Sequence, residues 1–189
     1  MDLVSRYYKT ERRVFDILNA GLNLKPRPAT LAMKKTGKKD LVVVEVGVYY
    51  GDNARSLLRT LDIKKLYLVD PYKTYTCANT EVKMDDKIFE SAKKKLRPWE
   101  KKIEWIRKYS DEAVNDIPDA DFIYLDANHD YEFIQKDLER YYRKVKAGGI
   151  LGGHDMKIYH LGTIRAVIEF TILRDLKLNA APDDYWFVK

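Results

Sequence analysis

The sequence predicts an α/β fold with a mostly parallel sheet of about seven strands and helices on both faces. Three observations predict it. Short apolar runs rich in β-branched and aromatic residues recur along the chain: Leu41–Val46, Leu66–Val69, Ile103–Arg107, Phe122–Leu125 and Ile150–Leu151. Segments with apolar residues at helical spacing lie between them. The first run passes directly into a glycine turn, Gly47 to Gly51, and then into a helix over Asn53–Leu61. Strand, glycine turn and helix in that order build a ligand crevice at the carboxyl edge of an open sheet. The fold expected is therefore a single Rossmann-like domain over 41–189, preceded by an N-terminal helix and linker over 1–40.

The elements follow in order. Residues 2–20 carry Val4, Tyr7, Tyr8, Val14, Ile17 and Leu18 at helical spacing, which suits a lid or a dimer arm as well as packing on a sheet edge. Pro26, Pro28 and Gly37 mark residues 21–40 as a connecting segment with a short turn near Leu31–Met33. The strand Leu66–Val69 stops at Pro71, which cannot donate to a ladder. Residues 72–83 lack periodicity and read as a loop. A helix over 84–97 ends at Pro98, and a strand over Ile103–Arg107 leads to a short helix Ser110–Ile117 with Ser110 or Asp111 as its N-cap. The strand Phe122–Leu125 precedes a helix over 131–146, which Gly148 and Gly149 should stop. The strand beginning at Ile150 runs into Gly152, Gly153, His154 and Asp155. The helix over 161–175 should turn Ile164, Val167, Ile168 and Ile172 inward, and Leu176–Leu178 and Tyr185–Val188 close the sheet.

Composition narrows the function classes. The net charge is +6, but the lysines are scattered among acidic residues, which fits a solvated surface better than a nucleic-acid footprint. A lone cysteine, Cys77, excludes an internal disulfide and a zinc-ligand pattern, and favours a reducing, cytoplasmic setting. No apolar run approaches the roughly 20 residues that span a bilayer, and the first ten residues lack the apolar core of a signal peptide.

The glycine spacing selects the ligand. A dinucleotide site needs G-x-G-x-x-G so that the backbone can approach a pyrophosphate. Here Tyr49 stands between Gly47 and Gly51, and Glu45 precedes them. This favours a cationic ligand without phosphate. S-adenosylmethionine, with its sulfonium and ammonium, meets that description better than NAD. Asp70, at the end of the second strand, is placed to accept hydrogen bonds from a ribose. Asp126, His129, Asp130, His154 and Asp155 fall on the same sheet edge. Two of these carboxylates could hold a hard divalent cation such as Mg2+, and a histidine could take a proton from a hydroxyl.

VEVGVYYGDNARSL, LYLVDPY, the block FIYLDANHDYEFIQKDLERYYRKVKAGGILGGHD and the late GTIRAVIEF together resemble the class I S-adenosylmethionine-dependent methyltransferases. The nearest resemblance is to small O-methyltransferases of the sugar and secondary-metabolite type. The resemblance implies S-adenosyl-L-methionine as cofactor, with Glu45, Gly47 and Gly51 at its methionine part, Asp70 at the ribose, Ser110 near the adenine and Asp126 below the methyl. It implies Asp126 and Asp155 as ligands of a divalent cation, and His129, with His154 as substitute, as the base that takes a proton from a small-molecule acceptor. Lys108–Tyr109 departs from the usual Gly-Asp before Ser110, and Tyr109 could stack on the adenine instead. Two other classes compete: a nucleotide-dependent oxidoreductase, against which Tyr49 counts, and a basic nucleic-acid-binding or RNA-methylating protein, for which no N-P-P-Y-like run is present.

Overall fold

A computed structural model describes residues 25–77, 79–158 and 160–189. The helix expected over 2–20 lies outside the described residues. In the remainder, strands and helices alternate: α1 (Pro28–Lys35), β1 (Leu41–Val46), α2 (Asp52–Thr60), β2 (Ile63–Val69), β3 (Tyr75–Cys77), β4 (Thr80–Val82), α3 (Asp86–Leu96), a 3-10 turn (Arg97–Lys102), β5 (Ile103–Ile106), α4 (Ser110–Ala113), β6 (Ala120–Leu125), α5 (Tyr131–Lys144), β7 (Val145–Met156), α6 (Leu161–Leu173), β8 (Asn179–Ala181) and β9 (Asp183–Val188). The main sheet has seven strands in the order β5-β2-β1-β6-β7-β9-β8. Its first five are parallel, and β9 and β8 are antiparallel additions. The expected architecture is therefore observed.

The sheet separates two cores, and the two-residue period of the strands decides which side chain joins which. Val43, Phe122 and Tyr124 face a layer containing Ala29, Met33, Leu57 and Leu96, from α1, α2 and α3. Val44, Ile123 and Leu125 face the opposite layer, with Leu138 and Tyr141 of α5 and Ala166, Val167 and Phe170 of α6. Such continuous burial on both faces explains why β1 reads as an unbroken apolar run.

Five local readings need correction. First, the segment before β1 contains a true helix. Pro28 stands at its first turn, where a missing N–H costs nothing, so the residue read as a breaker is a starter. Ala29 and Met33 are fully buried, and α1 packs on β7 and β9. Second, the supposed loop over 72–83 contains the hairpin β3–β4, turned at Asn79 with a left-handed φ of 60°. Third, Gly148 and Gly149 do not stop α5. That helix ends at Lys144, Val145 is already extended, and both glycines lie within β7. A side chain at Gly149 would meet the Asp121 carbonyl oxygen at 2.8 Å. Fourth, α6 buries Thr163, Ala166, Val167 and Phe170, whereas Ile168 and Ile172 are exposed. The helix is apolar almost all round, so spacing alone could not choose its inner face. Fifth, the closing pair of strands is β8 and β9, and Leu176–Leu178 packs as coil beside them.

One buried carboxylate ties α1 to the sheet. Asp184, fully buried on β9, accepts from the Ala29 amide (3.1 Å) and the Tyr124 hydroxyl (2.9 Å). Burial pushes its carboxyl above the ordinary range. Asp184→Ala would strand both donors, so a loss of about 2–4 kcal/mol is expected in urea unfolding.

Candidate functional site

The carboxyl ends of β1, β2 and β6 open into one cleft of about 1040 Å³. Its floor is the β1 turn. Gly47 adopts φ +87°, a left-handed conformation, and its amide donates to the Val69 carbonyl at 2.9 Å. The Asp126 amide donates to the Val46 carbonyl at 2.7 Å, so β1 and β6 are locked together just where they end. A Cβ at Gly47 would lie 2.0 Å from the Asp126 carbonyl oxygen. Gly51, at φ +73°, begins α2.

Glu45 and Asp70 both line the cleft, with different commitments. Asp70 Oδ2 accepts from the amides of Val48 (2.9 Å) and Tyr49 (3.0 Å), and its Oδ1 accepts from the Tyr72 amide (2.8 Å). The aspartate thus staples the turn, which keeps Tyr49 in its left-handed φ of 50°. A carboxylate has about four acceptor sites, so one remains on Oδ1 for a ligand hydroxyl. Glu45 is almost fully buried. Its Oε1 accepts from Asn53 Nδ2 at 3.1 Å, and its Oε2 has no partner among the described residues. Burial pushes the Glu45 carboxyl well above its ordinary pKa, against the Asn53 hydrogen bond.

On the opposite flank, Ser110 opens α4. The N-cap is the extended Tyr109, not Ser110 or Asp111, and the Ser110 hydroxyl donates to Asp137 of α5. Burial raises the Asp137 carboxyl to about 6, although the Ser110 hydroxyl favours its charged form. The Tyr141 hydroxyl donates to the Ser110 carbonyl at 2.8 Å. Tyr109 is exposed at the cleft wall, with Lys73 Nζ 5.9 Å from its ring centre.

The acidic rim gathers around Asp155, which sits at φ 58° on β7. His129 Nε2 lies 2.9 Å from Asp155 Oδ2, and His154 Nδ1 lies 2.9 Å from Asp155 Oδ1. Lys157 Nζ is 3.0 Å from the same Oδ1. Burial works against ionising Asp155, but the two histidines prevail and hold its carboxyl far below the usual range. In turn burial lowers His129, yet the Asp155 partner outweighs it and raises the imidazole pKa. One ligand atom each from Asp126, His154 and Asp155 lie within 4.8 Å of one another. His154 Nε2 is buried without a partner among the described residues. Asp126 and His129 face the cleft, whereas His154 and Asp155 do not line it.

The sequence reading places Tyr75 and the 72–83 segment near the rim but misses their hairpin form, and it misses Asp137 and Arg27. The hairpin supplies Tyr75, Thr76 and Cys77 to its wall and is tied to the rim, Asn128 Nδ2 donating to the Thr76 carbonyl (3.0 Å) and the His129 amide to Cys77 Sγ (3.4 Å). The alternation in Tyr-Thr-Cys and Thr-Glu-Val around an asparagine turn was the available signal. Asp137 lay hidden in a helix pattern. Arg27 also reaches the cleft, and nothing in its basic, proline-flanked neighbourhood distinguishes it from surface charge.

Comparison with known proteins agrees with this geometry. Residues 44–156, more than half the chain, match the model of a methyltransferase domain family. An uncharacterized protein of Acanthamoeba polyphaga mimivirus is 29% identical over 131 residues, 65% of this chain and 54% of that protein. The chain thus spans about half the length of that curated relative. Among solved structures, the O-methyltransferase NovP superposes with a TM-score of 0.64 at 16% identity, covering 85% of this chain and 78% of NovP. An O-methyltransferase from Bacillus cereus, in complex with SAH, gives 0.62 at 15%, covering 96% and 91%. A precorrin-6y C5,15-methyltransferase from Geobacter metallireducens gives 0.60 at 11%, covering 80% and 72%. These likenesses establish the fold, and no helix among the described residues is long and apolar enough to cross a membrane. The chain belongs to the methyltransferase domain family and has the class I S-adenosylmethionine-dependent methyltransferase fold.

Proposed function

We propose that this chain methylates the oxygen of a small hydroxylated acceptor, with S-adenosyl-L-methionine as donor. One observation carries the cofactor choice. The amides of the glycine turn are spent on Asp70 and Val69, while a buried carboxylate oxygen of Glu45 waits without a partner. A pyrophosphate would find few free donors there and a carboxylate to repel it, whereas an ammonium would find an acceptor. When bound, the cofactor supplies an electrophilic methyl, whose bond to sulfur breaks as the bond to the acceptor oxygen forms.

The chain's own residues supply position and a proton acceptor. Asp70 would offer its remaining acceptor site to a ribose hydroxyl, Ser110 and Tyr109 would bound the adenine, and Asp126 would stand near the methyl. His129 and Asp155 form a dyad: Asp155 holds Nε2–H and orients the ring, which leaves Nδ1 to take the acceptor proton. Because the imidazole pKa is raised, the neutral base forms only above the ordinary histidine value. Turnover measured across pH is therefore expected to rise through a pKa above 6.5.

A divalent cation is a second use of the same rim, favoured by the close approach of one ligand atom each from Asp126, His154 and Asp155. Asp126, His154 and Asp155 would hold it, and it would lower the pKa of the acceptor hydroxyl. It would also take Asp155 from His129 and Lys157, so the dyad is the simpler arrangement.

The test is isothermal calorimetry with S-adenosylhomocysteine and with NAD. S-adenosylhomocysteine should bind and NAD should not. Binding of NAD alone would sink the proposal in favour of an oxidoreductase.

A further inference from the structure

Arg27 is the residue immediately before α1, and its position is set twice over: Pro28 begins the helix, and Asp184 holds the Ala29 amide. Its side chain lines the cleft with Glu45 and Asp126. The guanidinium makes no hydrogen bond or ion pair among the described residues, although it lies within the field of Asp126, Asp184 and Asp155. Two of those acids are committed elsewhere. Asp184 accepts from Ala29 and Tyr124, and Asp155 is surrounded by His129, His154 and Lys157. Five N–H donors in a fixed fork thus stand at the cleft wall with little to bind.

Glu45 presents the complementary vacancy. Its Oε2 is buried and unpartnered, on the floor of the same cleft. The amides of Gly47, Val48 and Tyr49 are not free for an anion at this end, because those of Val48 and Tyr49 serve Asp70 and that of Gly47 serves Val69. A ligand that fits must bring a carboxylate for the fork and an ammonium for the buried oxygen.

We propose that Arg27 and Glu45 together recognise an α-amino-acid zwitterion, the carboxylate on Arg27 and the ammonium on Glu45. The inference rests on the S-adenosylmethionine reading, since the methionine end of that molecule carries both groups. It makes a residue outside the sheet, ahead of the family motif, part of cofactor recognition. It also means that the cleft selects its ligand by the amino-acid end as well as by the nucleoside.

The experiment compares S-adenosylhomocysteine with 5′-methylthioadenosine, which keeps the nucleoside and lacks the amino acid. Both are titrated calorimetrically into the wild-type chain, Arg27→Met and Arg27→Lys, with circular dichroism to verify folding. Wild type should bind S-adenosylhomocysteine at least tenfold more tightly than methylthioadenosine. Arg27→Met should weaken S-adenosylhomocysteine roughly 10- to 100-fold, the range for hydrogen bonds between charged groups, and leave methylthioadenosine unchanged. Arg27→Lys, which keeps the charge but loses the fork, should fall between. Should Arg27→Met not fold, a loss in Arg27→Lys confined to S-adenosylhomocysteine supports the inference, and an equal or absent loss there overturns it. Unchanged S-adenosylhomocysteine affinity in both variants overturns the inference and leaves the cofactor reading standing. So does an equal loss for the two ligands. Wild type that binds neither ligand overturns both.

Discussion

Gly47→Ala is expected to be more damaging than the same change at any other described glycine. The new Cβ would lie 2.0 Å from the Asp126 carbonyl oxygen, 2.4 Å from its carbon and 2.8 Å from the Ala127 nitrogen. All three are backbone atoms, so no rotamer can relieve the contact. The ends of β1 and β6 would have to separate, breaking the 2.7 Å bond from the Asp126 amide to the Val46 carbonyl. The left-handed φ of +87° adds its own cost for a residue with a side chain. Overpacking and backbone strain together are expected to cost about 3–5 kcal/mol. For a chain of this size that is a fall in melting temperature of roughly 10 °C, readable by scanning calorimetry. Gly37→Ala is the matched control. Gly37 also has a positive φ, +70°, but no atom of the described residues lies within 4 Å of its Cβ position. Only the conformational cost applies there, about 1 kcal/mol. Equal losses in the two variants would mean that the close approach of β1 and β6 is not what the glycine serves.

Glu45→Gln is expected to make the protein more stable and less able to bind its cofactor. The folded protein raises the Glu45 pKa by burial, so the native state holds this proton more tightly than the unfolded chain. The stability this contributes is fully present below the ordinary carboxylate pKa near 4.5 and is lost as pH rises toward the raised folded value. Above that folded value the native state must bury an ionised oxygen that has no partner among the described residues. Glutamine keeps the shape and the bond from Asn53 and removes the charge. The melting temperature of the variant should exceed that of wild type at pH 8, and the difference should vanish near pH 4. Affinity for S-adenosylhomocysteine should fall roughly 10- to 100-fold, because a charged acceptor for the ammonium is gone. A variant that gains stability and retains affinity would remove Glu45 from the cofactor's amino-acid end.

Such a trade is what a site residue in a core position should show. The cost of burying Glu45 is offset in part by the Asn53 hydrogen bond, and a cationic ligand would offset more of it.

Much of this was legible in the chain. The alternation of apolar runs and helical stripes determined the α/β class. Unbroken β-branched strands determined that the sheet is covered on both faces. Gly47, Glu45 and Tyr49, read together, already favoured a cationic ligand without phosphate, because those residues act through local backbone geometry and charge. Asp126, His129, His154 and Asp155 could be assigned to one edge because parallel strands end on the same side. Tertiary structure decided the rest, and the reason is distance along the chain. Asp70 staples a turn 21 and 22 residues away, and Asp184 reaches Ala29 across 155 residues. No local pattern records such partners. The inner face of α6 was undecided because nearly every side of it is apolar. The place of Arg27 was invisible for a related reason: its surroundings in sequence are a basic linker, and its surroundings in space are the acidic floor of the cleft.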